Sequence, residues 1–139
     1  MNPKPKGVSG SHFVGLDIFR RTLTVVDEKK GGFQGGYSTN LNIQNQIILI
    51  DGQLANIEDD YVILLSGELR IGEGHYYLSE YADEVTNAGQ IGIENGKVTY
   101  LNNWSGHYRP TKDDVIDAKI FFEQNQLTGD IFVSFIPFK

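Results

Sequence analysis

The residues best equipped for chemistry gather in one stretch, from Gly72 to Pro110, which closes on Asn102-Asn103-Trp104-Ser105-Gly106-His107-Tyr108-Arg109-Pro110. Two of the three histidines lie here, with the sole tryptophan and Tyr76, Tyr77, Tyr81, Tyr100 and Tyr108. His75 and His107 are the candidate catalytic pair, because an imidazole exchanges protons near neutral pH. Brought together, they could hold a phosphate or a sugar, with Arg109 as the charge clamp and Tyr108 or Tyr76 orienting it. The alternative is structural. Ser105, His107 and Tyr108 would tie a turn to the neighbouring hairpin, and Arg109 would pair with a carboxylate at the start of the following helix. A third reading treats Tyr76, Tyr77, Trp104, Ser105 and Tyr108 as a binding surface, since Tyr and Trp offer large contact area at low entropic cost. No metal site is expected: isolated histidines lack the helical spacing of a zinc site, and Asp59-Asp60 and Asp113-Asp114 lack the alternating ligands of a calcium loop. Nothing in the chain calls for a cofactor.

The elements that must position these groups are mostly strands. Asp51-Gly52 between Ile47–Ile50 and Gln53–Ile57 reads as a hairpin, and Asn95-Gly96 between Ile91 and Leu101 is a stronger one, because both turn residues tolerate positive φ. In the second hairpin Ile91, Ile93, Val98 and either Tyr100 or Leu101 supply the core face. Tyr61–Leu65 and Leu69–Ile71 are further strands, Phe13–Val26 is strand-like, and Tyr77–Val85 is a short helix or an ordered loop. Thr111 caps the one clear helix, with Asp114 at its third position and Val115, Ala118 and Phe122 along one face to about Asn125. Ile131–Phe138 is a final strand, apolar on both faces and so expected to be central or well covered. The fold class is therefore α+β and mostly β: a curled or barrel-like antiparallel sheet with one helix of the C-terminal half packed on it.

A chain of 139 residues fits one domain, here residues 13–139, behind a linker or tail over residues 1–12 rich in Pro, Lys, Gly and Ser. Gly31-Gly32-Phe33-Gln34-Gly35-Gly36 is a glycine-rich loop without the spacing of a phosphate-binding loop. The chain has no cysteine, which removes disulfides, thiolate metal sites and thiol nucleophiles. A net charge of −6 argues against nucleic acid and for a basic protein partner. No run reaches the roughly 20 apolar residues of a membrane span, and the start has no apolar signal region, which leaves the cytoplasm and delivery by a secretion system both open.

Gly72, His75, Ala88-Gly89, Ile91, Asn95-Gly96, Val98 and Ser105-Gly106-His107-Tyr108-Arg109-Pro110 carry a family resemblance. Over roughly residues 45 to 125 the chain resembles the Ser-Gly-His-Tyr-x-Pro domain found at the C-terminal end of plant IQ-motif calmodulin-binding proteins, in related fungal proteins, and at the ends of some bacterial toxin-like or effector-like proteins. That family usually has His-His-Ser-Ser-Phe where this chain has His75-Tyr76-Tyr77-Leu78-Ser79, so only His75 keeps its place. The IQ segment is missing, and calmodulin binding is not implied. What the resemblance implies is a small bacterial toxin- or effector-associated domain acting mainly through protein–protein binding. Two alternatives stay open: a toxin enzyme acting on nucleotide or nucleic acid through His75, His107 and Arg109, and an acidic, immunity-type protein that neutralises a basic toxin.

Overall fold

The computed structural model describes residues 7–29, 37–38 and 40–137. Its centre is an open seven-stranded sheet in the order β12-β11-β10-β7-β8-β1-β3. These strands are β1 (Gly7–His12), β3 (Tyr37–Ser38), β7 (Ile57–Ile63), β8 (Glu68–Gly72), β10 (Asn87–Glu94), β11 (Lys97–Asn102) and β12 (Thr128–Ser134). The middle of the sheet is antiparallel, and the two outermost pairings, β1 with β3 and β11 with β12, are parallel. A three-stranded sheet of β4 (Leu41–Gln44), β5 (Ile47–Ile50) and β6 (Gln53–Leu54) and a two-stranded ribbon of β2 (Leu23–Thr24) and β9 (Glu84–Val85) complete the β structure. The helices are a single turn, α1 (His75–Leu78), and α2 (Lys112–Gln124). The molecule is thus mostly β with one main helix packed on its sheets. No helix among the described residues is long and apolar enough to cross a membrane.

Strand alternation splits the apolar residues between two cores. Tyr61 and Ile63 of β7, Leu69 and Ile71 of β8, Ile91 and Ile93 of β10, and Val98 and Leu101 of β11 face α2 and the small sheet, where they meet Ile48, Val115, Ala118, Phe121 and Phe122. Val62 and Ala88 face the other way, and there Leu23, Tyr76, Leu78, Val85 and Tyr108 form a second, smaller core. That second core covers only part of its side of the sheet. The remainder, around Glu58, Tyr100 and Phe132, faces solvent in varying degree.

Both turns read from the sequence are present. Asp51 and Gly52 have φ values of 54° and 77°, and Asn95 and Gly96 have 50° and 82°, the left-handed pairs that a two-residue hairpin needs. The second turn is also wedged against the first hairpin: the Ile48 amide donates to the Gly96 carbonyl and the Gly96 amide to the Ala55 carbonyl, each at 2.9 Å. A bulge in β11 decides which residue of the pair Tyr100 and Leu101 joins the core. Ile93 pairs with Val98 and Gly92 with Tyr100, so Thr99 is an extra residue and the alternation slips. Leu101 turns inward, fully buried, and Tyr100 goes to the open face. Helix α2 begins at Thr111 with the reciprocal Thr111–Asp114 capping box and ends at Asn125.

Three expectations from the sequence give way. Residues 7–12 are not a tail: they form β1, which lies between β8 and β3 and buries Ser9. Residues 1–6 and the glycine-rich stretch 31–36 lie outside the described residues. The segment Phe13–Val26 is mostly not strand. Gly15 at φ 74° turns the chain into a 3-10 turn at Leu16–Ile18, and only Leu23–Thr24 pairs with another strand. Its apolar residues still serve the core, Phe13 and Phe19 meeting the ring of Phe121 at centroid distances of 5.0 and 4.9 Å. Between Tyr77 and Val85, expected as a short helix or an ordered loop, α1 runs only to Leu78, an ordered turn with Glu80 and Tyr81 at φ 59° and 62° follows, and β9 begins at Glu84. Finally, among the described residues β12 is an edge strand, not a central one. Helix α2 carries the chain back across the sheet, so β12 joins β11 in parallel at the border. Ile131 and Val133 are partly buried against the main core, and Phe132 is 67% exposed.

Candidate functional site

Gly74, at φ 92°, turns the chain from β8 into α1, and its amide donates to Asp60 Oδ2 at 3.0 Å. His75 then points inward. Its Nε2 lies 2.6 Å from the Gly89 carbonyl oxygen, which can only accept, so Nε2 carries the hydrogen and donates it. Nδ1 lies 3.8 Å from Asp60 Oδ2, too far for a hydrogen bond. The side chain is almost wholly enclosed, and burial pushes its pKa down; Asp60 and the Gly89 carbonyl pull upward without overcoming that, and His107 adds a smaller downward push. Glycine at position 89 is a steric necessity. A Cβ there would stand 2.1 Å from the Asn102 carbonyl oxygen.

His107 lies on the other side of Tyr76. The two rings stack at 5.4 Å with an interplanar angle of 20°, and His107 Nε2 donates to the Lys29 carbonyl at 2.9 Å. The His107 carbonyl in turn accepts from the amides of Val26 at 2.7 Å and Asp27 at 3.3 Å. The two imidazoles are therefore neighbours through Tyr76. His75 faces the sheet, and His107 faces the segment that precedes the glycine-rich stretch. Each spends its Nε2 hydrogen on a backbone carbonyl.

The rest of the Ser-Gly-His-Tyr-Arg-Pro segment makes a hydrogen-bonded clasp. Ser105 is fully buried; its Oγ accepts from the Tyr108 amide at 3.2 Å and its carbonyl accepts from the Arg109 amide at 2.7 Å. The Tyr108 ring enters the second core, where its hydroxyl meets the Ala82 carbonyl at 2.7 Å and Ser79 Oγ at 2.8 Å. Burial raises the Tyr108 pKa, which keeps the phenol a neutral donor. Tyr76 stands edge-on to Tyr81 and Tyr108 at centroid distances of 5.1 and 6.5 Å. Asn103, just upstream, receives the end of the chain: its Nδ2 donates to the carbonyls of Pro110 and Ile136, and its Oδ1 accepts from the Ile136 amide. Of the residues considered as a binding surface, Tyr76, Ser105 and Tyr108 are buried, Tyr77 is half-buried, and Trp104 is 44% exposed.

Arg109 is exposed, at φ 44°, and its guanidinium has no hydrogen bond or ion pair among the described residues. The carboxylates at the helix start are taken by other arginines. Arg21 reaches Asp114 through Nε at 2.9 Å and Nη2 at 2.6 Å, and Arg20 Nε reaches Asp117 at 2.9 Å. The pair Arg20-Arg21 thus fastens the 3-10 segment to α2. Nothing local in the sequence links these arginines to carboxylates more than ninety residues away.

A second arrangement lies on the open face of the sheet. In register across four strands stand Glu58, Gly92, Tyr100 and Phe132. Beside them runs a second row, Asp60, Gln90, Asn102 and Ser134. Gln90 Nε2 donates to Asp60 at 3.0 Å, and Asn102 Nδ2 donates to Gln90 Oε1 at 2.9 Å and to the Tyr100 hydroxyl oxygen at 3.0 Å. The Tyr100 and Phe132 rings stack at 5.9 Å, 12° from parallel. Between Glu58 and Tyr100 the missing side chain of Gly92 leaves a cleft of about 470 Å³, lined also by Asn56, Glu94 and Thr99. No sequence signal marked this site, which depends on strand register and on the Thr99 bulge.

No protein-family model, curated protein or solved structure matches the chain.

Proposed function

We propose that the chain is a protein-binding domain, of the toxin- or effector-associated kind implied by the Ser-Gly-His-Tyr-x-Pro resemblance. The observation that carries this is the outer border of the main sheet. Among the described residues β12 has a strand neighbour on one side only, and Phe132 and Phe135 beside that edge are 67% and 44% exposed. On the helix side, Ile116, Ile120, Ile131, Val133 and Phe135, with Lys119 among them, line a mostly apolar groove of about 540 Å³. A free strand edge flanked by apolar side chains on both faces is the arrangement to which a partner adds a strand. The Ser105–Pro110 clasp, in this reading, is the internal brace that holds α1, the ribbon and the helix start together.

The enzyme alternative has less support. His75 is enclosed, and His107 and His75 have both committed their Nε2 hydrogens to carbonyls. Enzyme activity would appear as toxicity on expression in a bacterium, abolished by His107→Ala with the fold intact. The binding reading is tested by recovering partners with wild-type protein and with Phe132→Lys, then following amide exchange of β12 in the recovered complex. Binding predicts loss of the partner with Phe132→Lys and slowed exchange along β12. Partners held equally by the variant, with β12 exchange unchanged, would overturn it.

A further inference from the structure

We infer that the cleft between Glu58 and Tyr100 receives an arginine side chain of the partner protein. This deepens the protein-binding reading and rests on it for the source of the arginine. Four features select that group. Glu58 and Glu94 both line the cleft, both are exposed, and neither has an ion-pair partner among the described residues. The lysine opposite Glu94 in the hairpin, Lys97, does not neutralise it, because its ammonium donates to the Gln46 and Gln126 carbonyls. The Tyr100 ring, backed by Phe132, forms an aromatic wall beside these carboxylates. Gly92 opens the floor: a Cβ there would stand 3.0 Å from Tyr100 Cβ and would occupy the gap.

A guanidinium fits this chemistry better than an ammonium. It is flat, so it lies against an aromatic face, and its edge presents paired N–H donors to a carboxylate. The net charge of −6 brings a cationic partner toward the surface. Tyr100 is also set for the partner's backbone. Its oxygen already accepts from Asn102, and its own hydrogen has no acceptor among the described residues, which leaves it for a peptide carbonyl next to the arginine.

The test uses the full chain and three small probes: N-acetyl-arginine amide, its neutral isostere N-acetyl-citrulline amide, and N-acetylglucosamine. Amide shifts of Gly92 and Thr99 are followed in a two-dimensional NMR titration of wild type, Glu58→Gln and Glu94→Gln. The arginine probe should shift both amides, citrulline and the sugar should not, and Glu58→Gln should weaken binding about tenfold, as expected for loss of a charged hydrogen-bonding partner. Absence of a shift at millimolar arginine probe, equal shifts with citrulline or the sugar, or binding of the arginine probe as tight in both variants as in wild type would overturn the inference. The probes need no protein partner. Failure here with partner capture still dependent on Phe132 removes only the arginine site; a working arginine site with no Phe132-dependent partner removes only the strand-edge reading.

Discussion

Asp114 should be the most consequential single carboxylate in the molecule. Its side chain is almost fully buried, it accepts a two-point contact from Arg21, and it closes the capping box through the Thr111 amide at 2.6 Å and hydroxyl at 3.0 Å. Loss of a helix N-terminal cap costs about 1 kcal/mol. Hydrogen bonds to a charged partner add roughly 1–2 kcal/mol more, at the lower end of their range because the released Arg21 side chain is half exposed and regains water. Asp114→Ala is therefore expected to lose about 2–3 kcal/mol in urea unfolding at neutral pH. A cycle with Arg21→Met should give a coupling of about 1 kcal/mol. The dependence on pH provides a second check. Burial would raise the Asp114 pKa, but the hydrogen bonds from Arg21 and Thr111 outweigh it and hold the pKa below the ordinary value. The unfolded state then takes up the proton first as pH falls. The stabilisation is complete above the unfolded carboxylate value of about 3.9 and disappears as pH falls through the folded one. The gap between wild type and Asp114→Asn should close over that acid range. A coupling below ~0.3 kcal/mol, together with a gap unchanged by acid, would refute the assignment of Asp114 as the joint between the N-terminal segment and α2.

His75 should make the protein sensitive to mild acid. Because burial lowers its pKa in the folded state, the unfolded chain protonates first, and stability should fall as pH drops below ~6.5, by at most ~1.4 kcal/mol per pH unit. Denaturant midpoints measured on either side of that value should show this slope in wild type and lose it in His75→Gln, whose amide can still donate to the Gly89 carbonyl. Gly89→Ala should be among the most damaging methyl additions available. The added carbon would meet the backbone oxygen of Asn102 at 2.1 Å, and relief requires parting β10 from β11, so a loss above ~3 kcal/mol or failure to accumulate folded protein is expected; thermal melting of the purified variant decides it.

The sequence by itself determined the parts whose causes are local. Asp51-Gly52 and Asn95-Gly96 form hairpin turns because the left-handed conformation they adopt is a property of those residues and of the strands beside them. Thr111 and Asp114 start α2 because a capping box lies within four consecutive residues. The mostly β fold with one packed helix follows from the same local periodicities. Tertiary structure decided the rest. An apolar strand reads alike in the middle of a sheet and at its border, so only the path of α2 shows that β12 is an edge and that Phe132 is exposed. Tyr76 and Tyr108 have the composition of a binding surface, but packing against Leu23 and Val85 of the β2–β9 ribbon and Val62 and Ala88 of the sheet makes them core. Arg109 looked like the partner of the helix start until folding brought Arg20 and Arg21 there first. The cleft at Gly92 exists only because residues 58, 92, 100 and 132 fall into one register across four strands, after a one-residue bulge at Thr99 has turned Tyr100 outward. Register is fixed by all the strands together, and no window of the sequence contains it.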